Sequence, residues 1–336
     1  MSANFSASRR RFAGSFLDSF LLIDMNTNGA SENLPGGKAS GAATPVSGTV
    51  ADVRARIGTL RRRQHGARVS LVPTMGFFHE GHLNLMRAAR NESDFVVVSI
   101  FVNPIQFAPT EDLAAYPRDL GRDLAMGSAV GVNLFFVPPD EEIYPQGFDT
   151  KIEVGRVAEG LCAETRPGHF QGVATVVAKL FNIVRPDKAY FGQKDAQQAA
   201  VIKQMTEDLN FGIEIRVCPT VREADGLAMS SRNTYLNSEE RSQAGVLYQS
   251  LSEARTAVAA GETSASRLRR MIKKAIAANY MVDLEYVRIV DPGTMEPVAA
   301  VDRPALAAVA AKVGRARLID NEMLIPPGGT DAQDRS

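Results

Sequence analysis

Apolar positions along this chain alternate between short β-branched runs and stripes at helical spacing. From Thr49, the residues Val53, Ile57 and Leu60 share one helical face and lead into Val69-Ser70-Leu71-Val72, a strand-like run that stops at Pro73. A second helical stripe (His82, Leu83, Met86, Ala89, Arg90) opens directly afterwards. Residues 95–102 then form a near-continuous apolar run of the kind found in a strand buried on both faces. Strand, helix and strand in that order predict a right-handed parallel unit. The alternation continues with a helix over 119–129, a strand over 134–137, a helix over 172–184, a strand over 189–191, a helix over 195–209 and a strand over 213–218. The pattern predicts a doubly wound parallel α/β sheet over residues 49–220. Ligands are expected at the carboxyl ends of its strands, with Asn103, Gly192 and Thr220 on one rim.

Beyond Pro219 the texture changes. Residues 222–237 are polar; helices over 239–260 and 265–278 precede strands over 284–290 and 307–313, which predicts a smaller α+β domain across 221–325. Residues 1–48 are rich in Gly, Ser, Ala and Asn and are expected to be a disordered extension, and residues 326–336 a disordered tail.

A length of 336 residues allows one large and one small domain. Lys plus Arg equals Asp plus Glu at 38 each, so no global field draws the chain to nucleic acid or anionic lipid, and small molecules are the expected partners. Two cysteines give no disulfide framework and fit a reducing, cytoplasmic setting. No apolar run approaches the ~20 residues that span a bilayer, so no membrane association is expected.

The chemistry centres on Pro73-Thr74-Met75-Gly76-Phe77-Phe78-His79-Glu80-Gly81-His82. A strand-to-helix junction gathers unpaired backbone N–H groups and the positive end of a helix dipole, so it favours phosphate oxygens. Gly76 and Gly81 remove side chains where phosphates would touch backbone, and His79 and His82 face one side of the first turn. The glycine spacing is that of a Walker A loop, but His82 and Leu83 stand where that loop needs Lys and Ser/Thr. Zinc is not expected: the histidines are i,i+3 with Gly81 between them, and Cys162, His169 and Cys218 are scattered.

Three more stretches point to the same rim. Asn103 and Gln106 offer amides that donate to a carboxylate and accept from a hydroxyl. Gly192-Gln193-Lys194-Asp195 sets a lysine at a helix start, where a cation is disfavoured unless an anion binds. Met229-Ser230-Ser231-Arg232 places two hydroxyls and a guanidinium beside the domain junction, suited to a polyphosphate. Another adenylyltransferase, or a non-catalytic nucleotide-binding descendant of one, would share parts of this pattern. Paired glutamines Gln106 and Gln198 favour a small hydroxy acid over a phosphorylated acceptor.

HxGH after a first strand, with an M-S-x-x-type loop after the last, resembles the nucleotidylyltransferase superfamily. Within it, PTMGxxHEGHLxL, VSIFVNPxQF, YPRxL, RPGHFxGVxTVVxKLFNIVxP, FGxKDxQQ and VREADGLAMSSRN, with Arg317-Leu318-Ile319-Asp320-Asn321 near the end, resemble the pantoate–β-alanine ligase family from about Val50 to Leu324. The resemblance implies a Rossmann-like domain with a small C-terminal lid, a homodimer, and a reaction through pantoyl adenylate with Mg2+ and ATP as co-substrate and no organic prosthetic group. It places Met75, Gly76, Phe77, Phe78, His79, Glu80, Gly81 and His82 on ATP, with His82 as proton donor and His79, Lys194 and Arg232 as further catalytic groups. Gly192, Gln193, Lys194, Asp195, Val221, Met229, Ser230, Ser231 and Arg232 would complete the ATP site. Gln106 and Gln198 would hold pantoate, Asn103 and Gln106 would receive β-alanine, and Asp123 would lie on the magnesium side. The chain departs from the family in Phe77-Phe78, where Ala-Leu is usual, in Gln193 for Glu, and in the glycine-rich 121–131 helix region.

Overall fold

A computed structural model describes residues 43–109 and 111–329. The expected extension over 1–42, like the end of the expected tail over 330–336, lies outside the described residues. Along the chain run β1 (Val46–Ser47), α1 (Val50–Arg63), β2 (Val69–Thr74), α2 (Glu80–Glu92), β3 (Phe95–Ile100), α3 (Leu120–Ala129), β4 (Leu134–Phe136), α4 (Asp140–Ile143), α5 (Cys162–Thr165), α6 (His169–Val184), β5 (Lys188–Gly192), α7 (Ala196–Asp208) and β6 (Glu214–Cys218). There follow α8 (Ser238–Ala244), α9 (Val246–Ala259), α10 (Ala265–Ala277), β7 (Val282–Val290), β8 (Ala305–Val313) and β9 (Ala316–Leu324).

The first six strands form one all-parallel sheet in the order β1-β4-β3-β2-β5-β6. From β2 the chain runs outward through β3 and β4 on one side and through β5 and β6 on the other, with β1 added at the edge beside β4, so the switch point lies between β2 and β5. Alternate residues of each strand feed two cores. Val69, Leu71 and Val97 pack with α1, α6 and α7, while Val72, Val96 and Val98 pack with α2. That double burial is why these strands read as continuous apolar runs. β2 carries on through Pro73 to Thr74 instead of ending before the proline. Its ladder to β5 stops at Leu71, two residues before Pro73, which has no N–H to give. The two strands part there and the crevice opens.

Two expectations are corrected. Residues 43–48, expected in the disordered extension, include β1: Val46 and Ser47 pair with Phe135 and Phe136 at the sheet edge. A two-residue strand is too short to leave a periodic trace. The single helix expected over 239–260 is two, α8 and α9, meeting at Gly245.

The C-terminal segment is an antiparallel sheet, β7-β8-β9. Ala307, Val309 and Ala311 of β8 pack against α9 and α10, while Leu306, Ala308 and Ala310 join the core of the large sheet. β9 escapes the hydrophobic pattern because polar residues interrupt it: Arg222 forks onto the buried Asp320 at 2.7 and 3.1 Å. The neighbouring Asn321 donates to the carbonyls of Gln193 and Lys194, both at 2.9 Å, and so ties β9 to the rim of the crevice.

Candidate active site

The turn after β2 is built by its backbone. Gly76 (φ +84°) and Phe77 (φ +53°) both take left-handed conformations, which for Phe costs about 1–2 kcal/mol. Asp123, from α3, offsets that cost: its two oxygens accept from the Phe77 and Phe78 N–H groups at 2.7 and 2.6 Å. Asp123 is 1% exposed and does not line the crevice, so it holds the turn and does not face a metal ion. Its placement on the magnesium side is corrected accordingly. Phe78 is fully buried, and Gly127 of α3 leaves the room: a Cβ there would lie 2.6 Å from the Phe135 ring and 3.5 Å from Phe78. The aromatic pair and the glycine-rich helix are therefore two sides of one packing arrangement.

His79 caps α2, and its N–H donates to His82 Nδ1 at 3.3 Å, which leaves Nε2 of His82 as the N–H donor. The two rings lie 4.1 Å apart. Gly81 serves His79 here, since a Cβ would stand 2.9 Å from its ring. Burial pushes His79 down to about 4, with Lys194 adding to the effect. Burial, then the neighbouring His79, pushes His82 well below the usual imidazole range. Kept neutral in this way, the rings act as hydrogen-bonding groups; the positive charge on the crevice lining comes from Lys194, Arg232 and Arg166.

One cavity of about 230 Å³ gathers most of the expected residues. Met75, His79, Gly81 and His82 from the β2 turn line it, with Asn103 and Gln106 after β3, Gly192, Lys194, Asp195 and Gln198 after β5, and Thr220, Val221, Met229, Ser230, Ser231 and Arg232 after β6. His79 Nδ1, Ser99 Oγ and Thr220 Oγ1 on this lining are buried with no hydrogen-bond partner among the described residues, as expected of groups meant for a ligand. Gly76, Phe77, Phe78, Glu80 and Gln193 do not line it. Glu80 pairs with Arg87 on the surface of α2, and Gln193 clasps Asn321 at 3.0 Å.

Asn103 is also reassigned. It is 1% exposed; its amide donates to Gln106 Oε1 (3.0 Å) and the Gly172 carbonyl (3.1 Å) and accepts from the Tyr144 hydroxyl (2.7 Å). Both its N–H groups are used, so it orients Gln106 and has no donor left for a substrate. Sequence reasoning passed over Tyr116, whose hydroxyl meets Ser231 Oγ at 3.3 Å, and Asp112, which forks onto Arg232 at 3.0 and 3.1 Å. It also gave no role to Arg166 and His169. The quoted YPRxL and RPGHF motifs were the available signal for Tyr116, Arg166 and His169.

Hydroxyls, a lysine and an arginine suited to phosphates thus face amides suited to a small carboxylic acid across the switch-point crevice of a doubly wound sheet. That combination defines a nucleotide-using α/β enzyme. The family model described as pantoate-beta-alanine ligase matches residues 46–323. A pantothenate synthetase of Pelotomaculum thermopropionicum is 52% identical over 279 residues, covering 83% of this chain and 98% of its own. The solved pantothenate synthetase of Thermus thermophilus superposes with a TM-score of 0.80 at 45% identity, over 84% of this chain and 100% of its own. A pantoate-beta-alanine ligase from Francisella tularensis, solved in complex with beta-gamma ATP and β-alanine, superposes with a TM-score of 0.70 at 32% identity, over 84% of this chain and 98% of its own. The chain belongs to the pantoate–β-alanine ligase family and is an enzyme of that type.

Proposed function

We propose that this enzyme condenses pantoate with β-alanine by way of pantoyl adenylate. A pantoate carboxylate oxygen attacks the α-phosphorus of ATP and pyrophosphate leaves. The β-alanine ammonium loses one proton to solvent, its nitrogen attacks the acyl carbon, and AMP is expelled as a second proton leaves, forming the amide of pantothenate. The observation that carries this reading is that the His79–His82 turn and the Ser230–Arg232 segment, about 150 residues apart in sequence, share one cavity with Gln106 and Gln198.

In-line attack on phosphorus needs positioning and charge stabilisation more than covalent help. Lys194 and Arg232 supply the charge; His82 Nε2–H, the Ser230 and Ser231 hydroxyls and the N-terminal amides of α2 supply donors. Gln106 and Gln198 hold pantoate and Val221 packs against the adenine, a reading supported by their place on one cavity lining. Anionic phosphates beside His79 and His82 would raise their pKa values, which suits His82 to proton donation once ATP is bound. Magnesium enters with ATP. Among the described residues no group of three or more His, Cys, Asp and Glu gathers to hold an ion, and no step needs zinc or a prosthetic group. β9, tied to Gln193 and Lys194, serves as part of the lid that shelters the anhydride from water. The enzyme works as a homodimer, a reading supported by the family resemblance. It works in the cytoplasm, a reading supported by two buried, unpaired cysteines.

Pantoate-dependent exchange of labelled pyrophosphate into ATP tests the adenylate directly, and its absence from active enzyme would end the proposal. His82→Ala or Lys194→Ala should lower kcat by roughly 10²–10³. Wild-type turnover in either folded variant would remove that role.

A further inference from the structure

β-Alanine arrives as a zwitterion. While its nitrogen reaches the acyl carbon, its carboxyl carbon lies about 4 Å away and needs a cation. Asn103 is hydrogen-bonded out of that task, and the reaction proposed above assigns Lys194 and Arg232 to the phosphates. We propose that Arg166 binds the carboxylate of β-alanine and sets the enzyme's choice of amine, an assignment that rests on the pantoyl-adenylate reading above.

Arg166 sits on the boundary between the 230 Å³ crevice and a second cavity of about 580 Å³ that lies between the large sheet and β7–β9. Seven residues line both: Arg166 and His169, Lys194, Asp195 and Gln198 after β5, and Ser230 and Arg232. A small amine entering through the larger space would cross this shared boundary, where Arg166 stands.

The guanidinium is held in place by the residue it would serve. Its Nη1 lies 3.0 Å from His169 Nε2. A guanidinium can only donate, so Nε2 is the acceptor and the imidazole proton sits on Nδ1, which donates to the Gln106 carbonyl at 2.9 Å. Burial first, then the charge of Arg166, pushes His169 down to about 4, so this tautomer persists across the neutral range. Arg166 is thereby registered to the main chain of Gln106, whose side chain faces pantoate.

Its remaining edge is a carboxylate fork. Nε and Nη2 donate to Glu111 at 2.6 and 2.7 Å, the bidentate geometry a carboxylate ligand takes. Glu111 follows the short turn at Pro104–Gln106 and belongs to no helix or strand, so handing the fork to a substrate carboxylate breaks no ladder. Glu111 is in effect a tethered mimic: an acid on a two-carbon chain.

The test compares β-alanine with β-alaninamide, which keeps the amine and removes the charge, in wild type, Arg166→Gln and Arg166→Lys. Pyrophosphate exchange is followed in parallel. Loss of a charged hydrogen-bonded pair should raise KM for β-alanine by roughly 10–10²-fold in Arg166→Gln, and the preference for β-alanine over its amide should collapse to within about threefold. Arg166→Lys should restore part of the preference. Exchange should fall less than ligation, because pantoate and ATP touch other residues and the His169 bond to the Gln106 carbonyl stays in place without Arg166. A preference that survives in Arg166→Gln overturns the assignment, and so does exchange that falls in step with ligation, which would put Arg166 on the nucleotide or the fold. Wild-type enzyme that ligates without pantoate-dependent exchange would instead sink the adenylate reading, a separable outcome.

Discussion

Replacing Gly172 by alanine should disable pantoate use while leaving the enzyme folded. Gly172 lies in the first turns of α6, where that helix presses on the segment after β3; a Cβ there would lie 2.5 Å from the Ile105 carbonyl oxygen and 2.7 Å from Gln106 Cα and N. All three atoms are main chain and cannot rotate away, so reaching ordinary contact moves the 105–106 backbone by about 1 Å. Inside a helix, Gly→Ala would otherwise gain up to about 1 kcal/mol, against an overpacking cost of about 1–3 kcal/mol. The net loss is at most about 3 kcal/mol, a fall of several degrees in Tm. Function has less slack. Gln106 carries the amide proposed to face pantoate, and Asn103, which orients it, also donates to the Gly172 carbonyl at 3.1 Å. A displacement of that size can lower kcat/KM by about 10²-fold. The assay is pyrophosphate exchange against pantoate concentration, with a melting curve on each sample. Gly121→Ala is the control, since Gly121 is an exposed position of helix α3 where a built Cβ would meet only Asp119 Oδ1, at 4.0 Å. Wild-type kcat/KM for pantoate in Gly172→Ala would refute the claim that close helix packing places Gln106.

Asp123→Asn should cost about 1–3 kcal/mol, because an amide can accept only one of the two turn N–H bonds, and should raise KM for ATP without moving the half-saturating Mg2+ concentration. A shift in the Mg2+ requirement would return Asp123 to the metal side. Stability should also fall with acid. His79 and His169 sit near 4 in the folded chain, below the unfolded value near 6.5, so between these limits the unfolded chain binds more protons. Their contribution is complete above about pH 6.5 and is lost as pH falls toward 4, at up to about 1.4 kcal/mol per pH unit each. Denaturation followed from pH 7 to 4.5 should show a shallower slope in His169→Gln than in wild type; equal slopes would refute the burial argument.

The sheet was legible because its strands are buried on both faces and its helices on one, so each left a run or a stripe: Val96, Val97 and Val98 announce β3 before any coordinates. The groups that gather on the crevice lining were legible for a related reason. His79, His82, Lys194 and Arg232 stand at strand ends, where local motif and chain direction already fix their surroundings. Local pattern could not tell a residue that touches ligand from one that holds it. Asn103 and Asp123 sit in the right motifs, yet bonds to Gly172, 69 residues away, and to Phe77, 46 residues away, occupy them, and such pairings depend on distance in space. Arg166 gave the opposite case: one arginine among many in the chain, it gains a purpose only where α6, the segment after β3 and β7–β9 come together around it.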